Sequence, residues 1–329
     1  MVMKRVILAA LLLAVPTLPR AASADAIQDT KDIRAGKLPV RYDWLGWDGT
    51  TAHLRTLVCS AGGTTSCTAS IVKQSDLATS RIELLSIQEV YCDGKAPCAA
   101  LDSATAAKFV GREKAVTAAL AALTPGTPVT DPLGIFGAVA GEATRVAVRV
   151  RDVSQIGDPN MTAELVLEGK GGATQTLGTL GARVFRLNSS TIQGAHLSFD
   201  GRTAAYVVET GVGVMCWDFS NLSTVVVNVP RQKASLANTI GWKAYRKGDM
   251  SEALARFTES TTLDASYALG WYNRASVESR NLDLGQALTS FEVAQTIDAS
   301  LSERACRDPD FKPLRASRPS LFGCGSPAH

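Results

Sequence analysis

Short runs of alternating apolar and polar residues occupy most of the chain between residues 38 and 230. Leu54–Val58 and Thr68–Val72 are examples, and turns rich in Gly, Asp or Ser separate such runs. A period of two with β-branched residues is typical of half-buried strands. The segment 103–123 interrupts this rhythm, because its apolar residues recur at helical spacings. We therefore predict a β-rich region over 38–230, an antiparallel sheet or sandwich, with a helical insertion near 103–123.

From Ala234 onward the spacing of apolar residues becomes helical and repeats itself at an offset of 34 residues. The offset places Phe257 on Phe291, and Asp264–Ser266 on Asp298–Ser300. A fixed period of this length predicts stacked helical hairpins that bury their apolar faces against one another. The predicted fold class is therefore α+β multidomain: a β-rich N-terminal domain followed by an all-α C-terminal domain of two helical hairpins.

Small residues recur in each unit where the two helices of a hairpin pack closely, and Phe257 and Phe291 fill the space beside them. On these residues the segment 234–301 resembles the tetratricopeptide repeat family. It departs from the family where Ala265 and Ala299 replace the usual proline. The small residues are Gly241, Ala253, Ser260, Ala275, Ala287 and Ala294.

In that family, the inner face of the first helix of each unit lines a binding groove. The resemblance therefore implies a groove with aromatic and Arg side chains, which are favourable anchors for an extended peptide. The alternative is that these aromatics pack on the neighbouring domain or the partner helix. The implied groove residues are Asn238, Trp242, Tyr245, Arg246, Tyr272, Asn273 and Arg280.

Two units are fewer than the roughly three that a free-standing array needs, so other segments must cover its ends. We predict that residues 302–329 form a capping tail at one end. Arg307–Arg315 resembles the tails that follow such repeats in bacterial proteins. The β-rich domain is a candidate to cover the other end.

The first 24 residues have the layout of a secretory signal peptide. Lys4 and Arg5 precede the apolar run Val6–Val15, and Ala22-Ser23-Ala24 offers a cleavage site. The run is shorter than the roughly 20 apolar residues of a membrane-spanning helix, although an uncleaved anchor is the alternative. We expect a secreted or periplasmic protein with no transmembrane segment after signal removal. Residues 25–37 are polar and predict a loose leader.

The charges nearly balance, with 34 basic and 31 acidic residues and no clustering. This pattern does not favour nucleic-acid binding. No metal-binding spacing or cofactor motif is present in the sequence. We therefore expect neither a cofactor nor a metal.

The seven cysteines are compatible with an oxidising compartment. Three pairs flank short segments that could close as local loops, although spacing alone cannot choose among the possible pairings. Cys216 is left over, either as a buried small hydrophobe or as a reactive thiol or intermolecular bridge. The favoured pairs are Cys59 with Cys67, Cys92 with Cys98, and Cys306 with Cys324.

A weaker internal echo relates Leu45–Ala52 to Leu197–Ala204, each with a central Asp-Gly that predicts a tight turn. The pair resembles hairpins of secreted β-propeller-like proteins, which implies only repeated β-hairpin units. His53 and His196 lie in these regions, and we interpret them as ordinary strand residues. No nucleophile or metalloenzyme motif accompanies them, so we predict no catalytic residues and no enzyme.

The main functional hypothesis is an exported, non-catalytic interaction protein that binds a protein or peptide, of unknown identity, through its helical array. A hydrolase or glycan-acting β-domain with an appended docking module is one alternative. A structural envelope component, in which the repeats mediate only self-association, is the other.

Overall fold

A computed structural model of the chain describes residues 22–34, 39–62, 64–88, 101–120, 122–152, 161–184, 186–214, 217–322 and 324. Within these ranges antiparallel strands precede helices arranged as hairpins, so the predicted α+β class is confirmed. The strands are β1 (Val40–Asp48), β2 (Thr51–Gly62), β3 (Thr64–Gln74), β4 (Thr79–Gln88), β5 (Thr127–Pro128), β6 (Ala138–Val139), β7 (Glu142–Ala143), β8 (Arg145–Asp152), β9 (Met161–Gly169), β10 (Ala173–Val184), β11 (Arg186–Leu197), β12 (Thr203–Val214) and β13 (Trp217–Asn228).

The helices include the predicted insertion, which has 16 residues and therefore just over four turns, and the C-terminal array. Two 3₁₀ turns, Lys170–Gly172 and Pro309–Phe311, lie between other elements. The helices are α1 (Ala22–Arg34), α2 (Ser103–Ala118), α3 (Val229–Arg246), α4 (Met250–Leu263), α5 (Ala268–Arg280), α6 (Leu284–Ile297), α7 (Leu301–Arg307), α8 (Lys312–Ser317) and α9 (Pro319–Phe322).

The largest sheet has the strand order β4-β3-β2-β13-β12-β11-β5, and β1 also pairs with β2. Among the described residues, β13 meets β2 at the single pair Asp218 and Ala61. The sheet therefore divides into one half made of β1–β4 and another made of β11–β13. Leu54 of the first half and Val207 of the second share one buried apolar cluster, so the halves pack face to face.

Because successive side chains on a strand point to opposite faces, each half has a second face to cover. Leu57 and Ile71 on the first half pack against α1 and α2. Tyr206 and Val208 on the second half pack against the sheet β10-β9-β8 and against α3. The molecule is thus layered, with helices on both sides of the strands.

Both Asp-Gly segments form the hairpin turns that the sequence predicts. Gly49 and Gly201 adopt φ of +57° and +68°, a region that favours glycine. Trp47 donates from Nε1 to the carbonyl of Leu197 at 3.2 Å. The two echoing hairpins therefore meet at one end of the packed sheets.

The prediction of a loose leader over 25–37 is wrong for the residues described, because α1 is a helix that packs into the fold. Ala26, Asp29 and Ile33 lie on one helix face and are 0%, 0% and 5% exposed. Ala26 and Ile33 belong to the apolar cluster beneath α2. The polar composition misled the prediction because Asp29 is buried against arginines that come later in the chain.

Arg55 is the centre of this buried ionic network and is itself only 1% exposed. Its guanidinium pairs with Asp29 of α1, with Asp43 of β1 at 3.0 Å, and with Glu113 of α2 at 2.9 Å. Arg41 adds ion pairs to Asp29 and to Asp32. A single arginine therefore ties two helices to the first half of the sheet.

The predicted boundary between a β-rich domain ending at 230 and an array starting at 234 falls inside helix α3. Asn228 caps this helix by accepting a hydrogen bond from the Arg231 backbone, and Pro230 stands in its first turn, as helix starts prefer. Leu236 and Ile240 of α3 then enter the apolar core of the second sheet half. The same helix thus completes the β-rich core and begins the array.

Two of the three favoured disulfides, Cys59–Cys67 and Cys306–Cys324, are formed in the structure. The first joins neighbouring strands β2 and β3, where the two residues are direct partners. Cys92, Cys98 and Cys216 lie outside the described residues. None of the helices described combines the length and apolar character that crossing a membrane requires.

Candidate functional site

The array consists of two helical hairpins, α3 with α4 and α5 with α6, which pack through the small residues that the period predicts. A side chain at Gly241 would come within 2.8 Å of the Phe257 ring, so α3 and α4 can approach closely only through glycine. Phe257 and Phe291 are fully buried at equivalent places in the two units. Asp249 and Asp283 cap α4 and α6 by accepting backbone hydrogen bonds.

The chain after α7 turns back across the inner face of α5. Tyr245 and Ser276 donate hydrogen bonds to the Asp310 carboxylate at 2.5 and 2.9 Å. Arg280 lies 3.6 Å from the other oxygen of that carboxylate. Side chains from both inner helices therefore converge on one acidic group.

A second set of contacts fixes the same tail segment. Tyr272 donates to the Asp308 carboxylate at 2.8 Å, and Ser279 donates to the Asp310 backbone carbonyl at 2.8 Å. Burial, followed by the bond to Asp308, raises the pKa of Tyr272 above its ordinary value. The tyrosine therefore stays protonated and donates this bond at every physiological pH.

The tail also supplies the apolar cover of the second unit. Phe311 and Leu314 are 0% exposed and pack with Tyr272 and Phe291. Burying each such side chain contributes about 1.5–3 kcal/mol, so lifting the segment off the face would cost several times the thermal energy. The tail thus packs over part of the expected groove and covers the second unit.

The other half of the inner face remains open to solvent. Trp242 is 40% exposed and stacks on Tyr245 with ring centroids 4.9 Å apart and an interplanar angle of 2°. The Arg280 guanidinium lies over the Tyr245 ring at 5.5 Å, with its side chain 51% exposed. Arg246, which follows Tyr245 on α3, is also exposed. An aromatic stack flanked by two arginines is favourable for cation–π and peptide contacts.

The seven residues implied by the family resemblance therefore divide into two groups. Tyr272 and Asn273 are 1% and 8% exposed and bond within the molecule, Asn273 to Asn238 at 2.7 Å. The exposed set is Trp242, Arg246 and Arg280, with Tyr245 between them. Tyr272 packs on Phe291 of the partner helix α6, as the packing alternative predicts, and also on Phe311 of the tail, which that alternative does not include.

Sequence reasoning missed the residues that hold the tail. Ser276 and Ser279 follow Tyr272 at helical spacings of four and seven, which places them on its face. The sequence places Asp308-Pro309-Asp310 in the predicted capping tail, but it does not indicate that the two carboxylates lie on the inner face of the array. The sequence does contain a signal for this contact: the tail has two carboxylates close together, and one face of α5 is rich in hydroxyl groups.

The histidines of the β-rich part are both buried, at 3% for His53 and 8% for His196. His196 stacks flat on Trp44 at 4.1 Å and lies 3.3 Å from the Tyr42 hydroxyl through Nε2. Burial lowers the pKa of His196 to about 4. The ring is therefore neutral at pH 7 and packs strand β1 against β11. Among the described residues, no group of His, Cys, Asp and Glu is arranged to hold a metal ion.

The buried His196 predicts a pH dependence of stability. The unfolded ring has an ordinary pKa near 6.5, so between about pH 4 and 6.5 the unfolded chain binds more protons than the folded one. This contribution to stability is complete above about pH 6.5 and is lost as the pH falls towards 4. We expect the wild type to lose about 2–3 kcal/mol more than His196→Phe over this range, measured by urea unfolding. Parallel pH profiles for the two proteins would contradict this assignment.

No family model matches the chain, and neither a curated protein nor a solved structure is significantly similar to it. Its function has to be argued from its own residues.

Proposed function

We propose that this chain is an exported, non-catalytic interaction protein. Its two tetratricopeptide-like hairpins bind a protein or a peptide on the inner face of α3 and α5. A predicted signal peptide and the two disulfides support export to an oxidising compartment. The observation that carries the binding role is the half-exposed Trp242, which stacks on Tyr245 in the part of the face that the tail leaves open.

A tryptophan that a folded chain leaves 40% exposed is a stronger indication of binding than a single exposed aliphatic residue. Tryptophan and arginine are enriched among residues that dominate binding energy at protein interfaces. Tyr245 is held in place by Asp310 and Arg280, so Trp242 lies on a rigid support. Such preorganisation lowers the entropy cost of binding.

Peptides selected from a random library on the folded chain, with affinities then measured by fluorescence anisotropy, test this proposal. We expect Trp242→Ala to weaken their binding about ten-fold or more, because truncation of an anchoring aromatic typically costs over 1 kcal/mol. Tyr272→Ala is not a suitable variant, since that residue is buried in the cap. Phe199→Ala, at a residue that is 90% exposed on the β11–β12 turn, is the matched control and should leave affinity unchanged.

Failure to select any peptide, or equal binding by Trp242→Ala and the wild type, would overturn the proposal. A concentration-dependent dimer that Trp242→Ala dissociates, without peptide binding, would instead support the self-association alternative.

A further inference from the structure

The two disulfides that the structure describes differ in how far solvent can reach them. Cys59 and Cys67 are 3% and 1% exposed and lie in the apolar cluster beneath α1 and α2. Cys306, in α7, is half-buried, and Cys324 is exposed. Thiol–disulfide exchange begins when a thiolate attacks one of the two sulfurs, so access limits its rate. In the folded chain, the Cys306–Cys324 bond is therefore the one of these two that a reductant reaches first.

These two bonds also differ in what else holds together the segments that they join. Cys59 and Cys67 are partners in the ladder between β2 and β3, which is paired continuously along both strands. Cys306–Cys324 has a sequence separation of 18 and ties α7 to the residue that lies two positions beyond α9. The backbone ladder would keep β2 and β3 together without the first bond, whereas the importance of the second depends on the other contacts of α9.

Helix α9 depends on few contacts outside that disulfide. It has four residues, which are too few for a helix that is stable by itself. Beyond Leu314, Phe322 is the single buried side chain within the described residues, and its ring stacks on Phe291 at a centroid distance of 4.8 Å. Leu321 is half-buried, and its carbonyl accepts a hydrogen bond from Gln295 at 3.5 Å. One aromatic ring and the disulfide thus supply most of the hold on α9.

The part of the tail that precedes α9 has an independent set of contacts. Asp308 accepts a hydrogen bond from Tyr272, and its backbone carbonyl accepts one from Arg315 at 2.6 Å. Phe311 and Leu314 are fully buried against the second hairpin. Release of α9 would therefore leave this part docked and uncover only the apolar surface on which α9 packs.

We infer that the Cys306–Cys324 bond and α9 form a redox-sensitive latch over an apolar surface of the array. The reductant is a dithiol. One of its thiolates attacks the exposed sulfur of Cys324, a new S–S bond forms to that sulfur, and Cys306 leaves as a thiolate that takes a proton from water. The second thiol of the reductant then breaks the mixed disulfide. The cysteine pair has gained two electrons and two protons, and the reductant has become a disulfide.

Opening of the latch follows from the loss of the cross-link. With the bond intact, α9 remains in a closed loop even when it leaves the array, so the open state gains little conformational entropy. Without the bond, α9 is no longer tied to α7. A cross-link over a loop of this length typically changes such an equilibrium about 100-fold, so reduction should raise the open population by about that factor. This latch goes beyond the proposed binding function and does not depend on it.

The test begins with the full folded chain in increasing concentrations of dithiothreitol without denaturant. Free thiols are trapped with iodoacetamide, and mass spectrometry identifies the alkylated cysteines. We expect Cys306 and Cys324 to be alkylated at concentrations that leave Cys59 and Cys67 bonded. After removal of the reductant, chymotrypsin should cut the alkylated chain after Phe322 about 100-fold faster than the oxidised chain, because cleavage follows the population of the open state.

Two double variants separate the latch from any effect of alkylation. Cys306→Ser with Cys324→Ser lacks the bond from the start, and it should be cut after Phe322 as fast as the reduced wild type. Cys59→Ala with Cys67→Ala is the matched control, and its cleavage after Phe322 should stay at the rate of the oxidised wild type. Circular dichroism checks that both variants keep the strands and helices of the wild type.

Three results would overturn the inference. Reduction of Cys59–Cys67 at the same or a lower dithiothreitol concentration would mean that access does not distinguish the two bonds. Equal cleavage after Phe322 in the oxidised wild type and in the variant without the Cys306–Cys324 bond would mean that this bond does not hold α9. Loss of the helical circular dichroism signal on reduction would mean that the bond supports the whole array rather than a local latch.

Discussion

Replacing Arg55 with Met is expected to lower the free energy of unfolding by about 3–5 kcal/mol, the largest single loss anticipated for a polar residue of this chain. Arg55 is 1% exposed, and its partners Asp29 and Glu113 are fully buried. Met keeps most of the length of the side chain, so packing changes little. Removal of the cation takes a buried ion-pair partner from Asp29 and from Glu113, although Arg41 still pairs with Asp29, and the resulting desolvation penalty dominates.

Urea unfolding followed by circular dichroism measures the effect of Arg55→Met. Arg149→Met is the matched control, because the side chains of the Arg149–Glu168 pair, 2.8 Å apart on strands β8 and β9, are 49% and 33% exposed. Exposed pairs contribute about 0–1 kcal/mol, so the control should unfold almost like the wild type. Losses of similar size in the two variants would contradict a buried ionic centre at Arg55.

Replacing Phe311 with Ala is expected to cost a similar amount, about 3–5 kcal/mol. Its ring is 0% exposed and contacts the rings of Tyr272 and Phe291, each at a centroid distance of 5.0 Å. Truncation leaves a cavity at the point where the tail seals the second hairpin. Because Asp310 precedes this anchor, the variant should also loosen the hold of Tyr245 and Ser276 on the tail.

Thermal unfolding by calorimetry, with hydrogen exchange on α5, measures the effect of Phe311→Ala. Phe199→Ala provides the control, since the same chemical change at a 90% exposed ring should leave the melting temperature in place. A small effect of Phe311→Ala together with unchanged protection of α5 would mean that the tail does not seal the array.

The parts of the fold that sequence predicts well are those with local signals. The Asp-Gly turns at Gly49 and Gly201 depend on adjacent residues, and the period of 34 residues compares two segments close in the chain. Such signals predict the α+β class, the helical hairpins and the two disulfides that the structure contains among its described residues. Each needs only residues near one another in sequence.

The predictions that are wrong concern residues whose partners lie far away in the sequence. Helix α1 looked like a loose leader because Asp29 is polar, and its buried partner Arg55 lies 26 residues away. Tyr272 looked like an exposed anchor because the tail that covers it, with Asp308, comes 36 residues later. In both cases a polar group is buried by a distant partner, which hydrophobic periodicity does not detect.

Because α3 is one continuous helix, its C-terminal end is held in a fixed position relative to the core of the second sheet half. Leu236 and Ile240 anchor the first half of the helix in the sheet core, and Trp242 follows within one turn. Helix α3 is continuous through these residues, so a segment bound at Trp242 would keep a fixed orientation relative to the layered strands. Under the proposed binding function, the β-rich part would set the direction in which the bound segment points.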